Sequence, residues 1–218
     1  GIILLGPNGT GKSTLGRELA YLLNFAHFDV EDYYFYKTDL PFTVIRPVEE
    51  RNAMMLSDMK KYGSFVVSGD ISDWNDAFLT MFDLAVFLTA PVDIRLQRIE
   101  NREYARWGDR VRDGGDMYEQ QQKFRAFAAT RNLTLIEQQA AAYPCPLLRI
   151  ENTGDCHATA ASIAERFFTK PGEPFRVTTH PLGELKAYRY TVIFAQYGKD
   201  SGGWLYARHK RRDTWGTA

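Results

Sequence analysis

The stretch Gly6-Pro7-Asn8-Gly9-Thr10-Gly11-Lys12-Ser13 constrains what this chain can become more than any other. It follows the apolar run Ile2-Ile3-Leu4-Leu5 and precedes Leu15, Leu19, Leu22 and Leu23, which recur at helical spacing. A strand ending at Leu5 and a helix beginning near Lys12 leave a glycine-rich loop between them. The N–H groups of that loop and the helix N-terminus converge on one anion. Asn8, Gly9, Thr10, Gly11 and Thr14 then line the phosphates of a nucleotide, Lys12 reaches the β- and γ-phosphates, and Ser13 offers its hydroxyl to Mg²⁺. The cofactors this implies are ATP and Mg²⁺.

Further along, strand-like runs at 25–28, 65–68, 84–89 and 147–150 alternate with helical patterns at 48–62, from Pro91 onward, up to about 130, at 133–143 and at 155–168. That alternation predicts an α/β fold, a five-stranded parallel sheet flanked by helices, over residues 1–169. Residues 33–47 carry Pro41 and Pro47, show no period and read as a loop. Prolines and glycines at 170–185 read as a linker. Beyond it, 185–197 and 204–209 read as an antiparallel β hairpin, so 186–218 is expected to be an incomplete second domain. The chain opens at Gly1, inside its first strand and without an initiator Met, as a piece of a longer polypeptide would.

Composition narrows the partners. With 27 basic and 27 acidic residues, the balance gives no argument for nucleic acid or an anionic membrane. No apolar run approaches the roughly 18 residues of a membrane span. Cys145 and Cys156 are too few for a disulfide framework and read as reduced packing residues of a cytoplasmic protein. Nothing here fixes an oligomeric state.

Two groups of side chains carry chemistry. Arg95, Arg98, Arg102 and Arg106 fall within about 80° of one another on a helix, and Arg110 follows in a glycine-rich segment at 108–115 that could close as a lid. Cations that neutralise the equatorial oxygens and exclude water are what phosphoryl transfer needs, so Arg98 and Arg102 are the candidates for that role. Pairing of the stripe with Glu100 and Glu103 is the plainer account. The acidic run Asp29-Val30-Glu31-Asp32 ends the second strand, at the sheet edge that faces the ligand crevice. Asp29 or Asp32 could take a proton from an acceptor hydroxyl or orient Mg²⁺, and Asp70 competes for the metal. Arg46 and Arg51 could hold an anionic group of the acceptor or form surface ion pairs. His27 reads as a packed neutral histidine.

The loop 6–13, the pair Asp29 and Glu31, the arginine-bearing helix and lid, and Asn152-Thr153-Gly154 together resemble the small P-loop kinases that include adenylate, shikimate and gluconate kinases. The resemblance covers roughly residues 1–169. It implies that Asp29 and Glu31 contact the acceptor and the magnesium shell, that Arg98 stacks on adenine, and that Asn152 and Gly154 belong to the adenine loop. Glu31 stands where those kinases usually have Asp, and no diagnostic shikimate or nucleoside-monophosphate signature is present, so the acceptor does not carry over. The tail, with Tyr188-Arg189-Tyr190-Thr191-Val192-Ile193 and Trp204-Leu205-Tyr206-Ala207-Arg208-His209-Lys210, resembles the opening strands of a Nudix hydrolase without its glutamate-rich helix. Three readings follow. The first is an ATP-dependent phosphotransferase acting on a small-molecule acceptor. The second is a nucleotide-gated regulatory ATPase, and the third is the kinase half of a kinase and Nudix hydrolase.

Overall fold

A computed structural model of the chain describes residues 1–168 in full and, beyond them, the backbone of the strands Val177–Leu185, Tyr188–Gln196 and Trp204–Arg212. Five strands, β1 (Ile2–Leu5), β2 (Ala26–Asp29), β3 (Phe65–Ser68), β4 (Leu84–Thr89) and β5 (Leu147–Glu151), pair in parallel in the order β2-β3-β1-β4-β5. The expected parallel sheet is therefore present. β1 lies at its centre, where the chain switches from building one side of the sheet to building the other, and its C-terminal end opens into the ligand crevice.

The near-continuous apolar strands follow from burial on both faces. Ile2 and Leu4 point to one side, against Leu15 and Leu19 of α1 (Lys12–Leu23) and Ile163 of α7 (Cys156–Phe168). Ile3 and Leu5 point to the other, with Met55 of α3 (Val48–Tyr62), Phe78, Phe87 and Ile136 of α6 (Leu133–Ala141). All four β1 side chains are fully buried, each contributing about 1.5–3 kcal/mol by leaving water. The central strand is thereby rigid where the phosphate loop leaves it.

Two expectations change. Residues 33–47 are not loop throughout, because a short helix α2 (Val30–Tyr34) starts directly after β2. Asp29 is its N-cap, accepting from the Glu31 N–H at 3.3 Å, and Glu31 and Asp32 sit in its first turn, where carboxylates favour the helix N-terminus. The expected linker at 170–185 contains the strand Val177–Leu185, which pairs antiparallel with Tyr188–Gln196, itself paired with Trp204–Arg212. Pro181 is accommodated because that strand is an edge, and the register shifts between Pro181 and Glu184. The hairpin turn at 198–203 lies outside the described residues.

Candidate functional site: a phosphate cradle facing an arginine helix

One cavity of about 530 Å³ lies at the C-terminal edge of the sheet. Its floor is the loop after β1. Gly9 and Gly11 adopt φ of +84° and +88°, a region in which L side chains are strained, and a Cβ on Gly9 would strike the Arg95 backbone. Asn8, Gly9, Gly11, Lys12, Ser13 and Thr14 line the cavity. Thr10 does not. It is fully buried, its hydroxyl donating to the Pro7 carbonyl at 2.9 Å, and it shapes the loop from within.

The Lys12 ammonium donates to the carbonyls of Gly6 and Pro7 at 2.8 and 3.1 Å. Burial pushes its pKa down to about 8, against the pull of Glu31 and Asp29. Glu31, which also lines the cavity, titrates above the usual carboxylate range, first because it is buried and then because Asp29 is beside it; Arg102, Lys12 and Arg106 oppose the rise. Ser68, at the end of β3, donates to the Lys12 carbonyl at 3.1 Å and contacts His27 Nε2 at 2.9 Å. Burial lowers the His27 pKa, as a packed neutral imidazole requires.

Arg98, Arg102 and Arg106 of α4 (Val92–Trp107) also line the cavity, Arg98 Nη1 lying 3.9 Å from where a Cβ on Gly11 would sit. Arg102 is held by the buried carboxylate of Glu103, so the plainer account of the stripe applies in part. Arg98 donates to the backbone carbonyl of Asn152 at 2.9 Å. Arg95 belongs elsewhere: it is 3 % exposed and bonds only to backbone carbonyls behind the phosphate loop. Arg110 pairs with Asp116 outside the cavity. Asn152 and Gly154 reach the cavity, but the Asn152 side-chain amide is engaged by the Thr10 carbonyl at 2.7 Å.

Asp70 lines the cavity with both oxygens occupied, by the N–H and hydroxyl of Ser72 at 2.9 and 3.0 Å and by the Tyr143 hydroxyl at 3.0 Å. Three candidates for the acceptor fall outside. Asp32 is exposed and does not line the cavity. Arg46 is spent on Glu50 and the Tyr33 carbonyl. Arg51 is buried between the rings of Tyr34 and Trp74, 4.5 Å from each centroid. Two arginines that the sequence did not single out, Arg17 of α1 and Arg131 of the segment before α6, do line the cavity. Arg17 was legible as the outward face of the first helix. Arg131 had no local signal, because only tertiary packing brings it back to the loop.

Among the described residues no group of three or more His, Cys, Asp or Glu could hold a metal ion by itself. Mg²⁺ is commonly held by one or two carboxylates together with phosphate oxygens, and Ser13 with Asp29 matches that donor set. Nor is any described helix long and apolar enough to cross a membrane.

A five-stranded parallel sheet whose central strand delivers a glycine cradle, Lys12 and Ser13 into a crevice defines a P-loop nucleotide-binding domain. A family profile described as an AAA domain matches residues 2–123, and the chain belongs to that family. It is 37 % identical over 163 residues to the uncharacterized protein YqaC of Bacillus subtilis (strain 168), covering 71 % of this chain and 89 % of that protein. It is 27 % identical over 110 residues to shikimate kinase 2 of Shigella dysenteriae serotype 1 (strain Sd197), covering 45 % of this chain and 62 % of that one. Among solved structures, shikimate kinase from Acinetobacter baumannii in complex with shikimate is similar at 22 % identity and a TM-score of 0.47, over 76 % of this chain and 90 % of that one. The expectation of a Nudix-like tail finds no support in these likenesses.

Proposed function

We propose that residues 1–169 form an ATP-dependent phosphotransferase that moves the γ-phosphoryl group to a small, anionic acceptor bearing a hydroxyl or phosphate. The observation that carries this reading is the meeting, in one cavity, of a triphosphate cradle, a carboxylate pair and an arginine wall. Hydrolysis alone needs only a water; Asp29, Glu31, Arg17 and Arg131 outline further room beside the loop, which suits a second substrate.

Asp29 stands at the start of α2, where it can accept the proton of the attacking hydroxyl or join the shell of Mg²⁺. Bound Mg²⁺ would neutralise phosphate charge, with Ser13 and Asp29 as its protein contacts. Lys12 and Arg102 carry positive charge to the transferred group, and Glu103 keeps the Arg102 guanidinium in place. Arg98, on the wall beside Asn152, is left to the nucleotide's base and α-phosphate side. The excess of basic over acidic residues around the cavity favours an acceptor that is itself an anion.

A phosphoryl-transfer screen with labelled ATP against nucleosides, nucleotides, sugars and sugar acids tests the proposal. Transfer to one class, lost in Lys12→Ala while the fold persists, supports it. ATP turnover that no small molecule stimulates would leave a nucleotide-gated ATPase instead.

A further inference from the structure

The phosphate loop is held from behind by two side chains whose positions do not suggest catalysis. Arg95 Nη1 donates to the Asn8 carbonyl at 3.2 Å, and Asn152 Nδ2 donates to the Thr10 carbonyl at 2.7 Å. Both residues are buried, 3 % and 7 % exposed. The two carbonyls belong to alternate peptides of the loop. In a trans peptide the C=O and the following N–H point in opposite directions, and every peptide in the described chain is trans. Holding the Asn8 carbonyl therefore turns the Gly9 N–H away from Arg95, toward the cavity that Gly9 lines. Holding the Thr10 carbonyl does the same for the Gly11 N–H. The intervening peptide faces inward, where the Thr10 N–H and hydroxyl both meet the Pro7 carbonyl, at 3.4 and 2.9 Å. Among the described residues, neither the Gly9 nor the Gly11 N–H donates to a protein acceptor.

We infer that Arg95 and Asn152 are positioning residues that aim the Gly9 and Gly11 N–H groups at bound phosphates, an inference that rests on the nucleotide reading above. The braces are themselves anchored to rigid elements. Arg95 also donates to the carbonyls of Ala90, just after β4, and of Ala128 in α5 (Tyr118–Ala129), at 3.2 and 2.9 Å. The Asn152 N–H donates to the Thr89 carbonyl at 2.8 Å, fixing it at the end of β4. Both contacts are close enough to explain the glycines. A Cβ on Gly9 would overlap the Arg95 backbone, and one on Gly11 would lie 2.9 Å from Asn152 Nδ2. Arg95 has a second effect. Its three acceptors are neutral and no carboxylate pairs with it among the described residues, so its charge remains available to an anion on the other side of the loop. Donors already aimed and fixed do not have to reorganise when charge arrives, which is the condition for strong electrostatic stabilisation.

The test is calorimetric binding of inorganic tripolyphosphate, ATP and adenosine to the full chain and to Arg95→Met, Arg95→Lys and Asn152→Ala. The expected result is a loss of at least about tenfold in tripolyphosphate and ATP affinity for Arg95→Met and Asn152→Ala, with Arg95→Lys intermediate because it keeps the charge and fewer bonds; for Arg95→Met, whose side chain does not line the cavity, adenosine changes by less than about twofold. Should Arg95→Met not fold, tripolyphosphate binding to Asn152→Ala decides. Variants that keep tripolyphosphate affinity, or an Arg95→Met that loses adenosine in equal proportion, would overturn the inference and leave the nucleotide reading standing. A wild-type chain that binds none of the three ligands removes both.

Discussion

Lys12 Nζ donates to the Gly6 carbonyl oxygen at 2.8 Å, so the cation at the mouth of the cradle is held by the neutral backbone of its own loop. Its pKa of about 8 follows chiefly from burial, with Arg102 and Arg131 adding to the fall and Glu31 and Asp29 resisting it. A polyphosphate beside the ammonium favours its charged form and raises that pKa. The sign follows: binding takes up a proton, affinity is fully present below about pH 8, and it declines as the pH rises through that value. Without ligand the same depressed pKa means the fold gains stability as the pH rises between about 8 and about 10.5. Calorimetry in buffers of different ionisation enthalpy should detect the proton, and Lys12→Met should lose both trends.

Asp29 combines two tasks that one substitution separates. Its Oδ1 caps α2, and asparagine caps a helix about as well as aspartate, so Asp29→Asn should melt within a few degrees of the parent, about 0.5 kcal/mol in stability. The carboxylate's chemistry has no such substitute. Turnover should fall by about a hundredfold or more while the ATP KM changes far less. Removing the charge beside Glu31 should also lower the Glu31 pKa, which NMR titration of its carboxyl carbon would follow. A variant with normal turnover would take Asp29 out of the reaction.

Gly16 sets helix propensity against packing. Alanine is the better helix former by about 1 kcal/mol, yet a Cβ at this position in α1 would overlap Ser68 Oγ and lie 2.7 Å from His27 Nε2. Ser68 is tied to the Lys12 carbonyl, so it has little freedom to withdraw. Gly16→Ala should therefore destabilise the domain by about 1–3 kcal/mol in denaturant titrations and weaken nucleotide binding through the displaced helix start. A more stable variant would mean that β3 and α1 can separate.

The parts of this molecule that could be read along the chain are those where one residue type implies one environment. Ile2-Ile3-Leu4-Leu5, closed by a glycine-rich turn, suits a strand buried on both faces, and Gly9 and Gly11 hold positive φ where a Cβ would crowd Arg95 and Asn152. The buried side of α4 is different. It consists of Arg95, Ile99 and Glu103, spaced four apart, so the inner face carries two charges and hydrophobic period is blind to it. The four arginines on one stripe were visible, but not that Arg95 turns behind the loop while Arg98, Arg102 and Arg106 face the cavity. The start of α2 was within reach, since Asp29 followed by Glu31 and Asp32 is a capped, acidic first turn; the aromatic residues after it hid the helix. Nothing local could have placed Arg131 near Lys12, because the end of α5 must first pack against α4, where Arg95 holds the Ala128 carbonyl.

Arg51 and Arg131 now make opposite forecasts. Arg51 was a candidate to hold an anionic group of the acceptor, but it is 6 % exposed, stacked between Tyr34 and Trp74 and absent from the cavity wall. Two cation–π contacts, worth up to about 2 kcal/mol each when desolvated, are offset by a buried Nε without a partner, which costs about 1–3 kcal/mol. Arg51→Met keeps the volume and should stay within about 1 kcal/mol of the parent, with both KM values unmoved. Arg131 lies over the Phe127 ring at 4.9 Å, lines the cavity and also has a buried Nε without a partner, a donor that an anionic acceptor could satisfy. Arg131→Met should raise the acceptor KM by about tenfold or more, the cost of leaving a buried charge-assisted bond unmade, while the ATP KM holds. Steady-state kinetics on the two variants, once the screen has supplied an acceptor, would separate them: an acceptor KM that moves with Arg51 and not with Arg131 would return the acceptor to the α2 and α3 side.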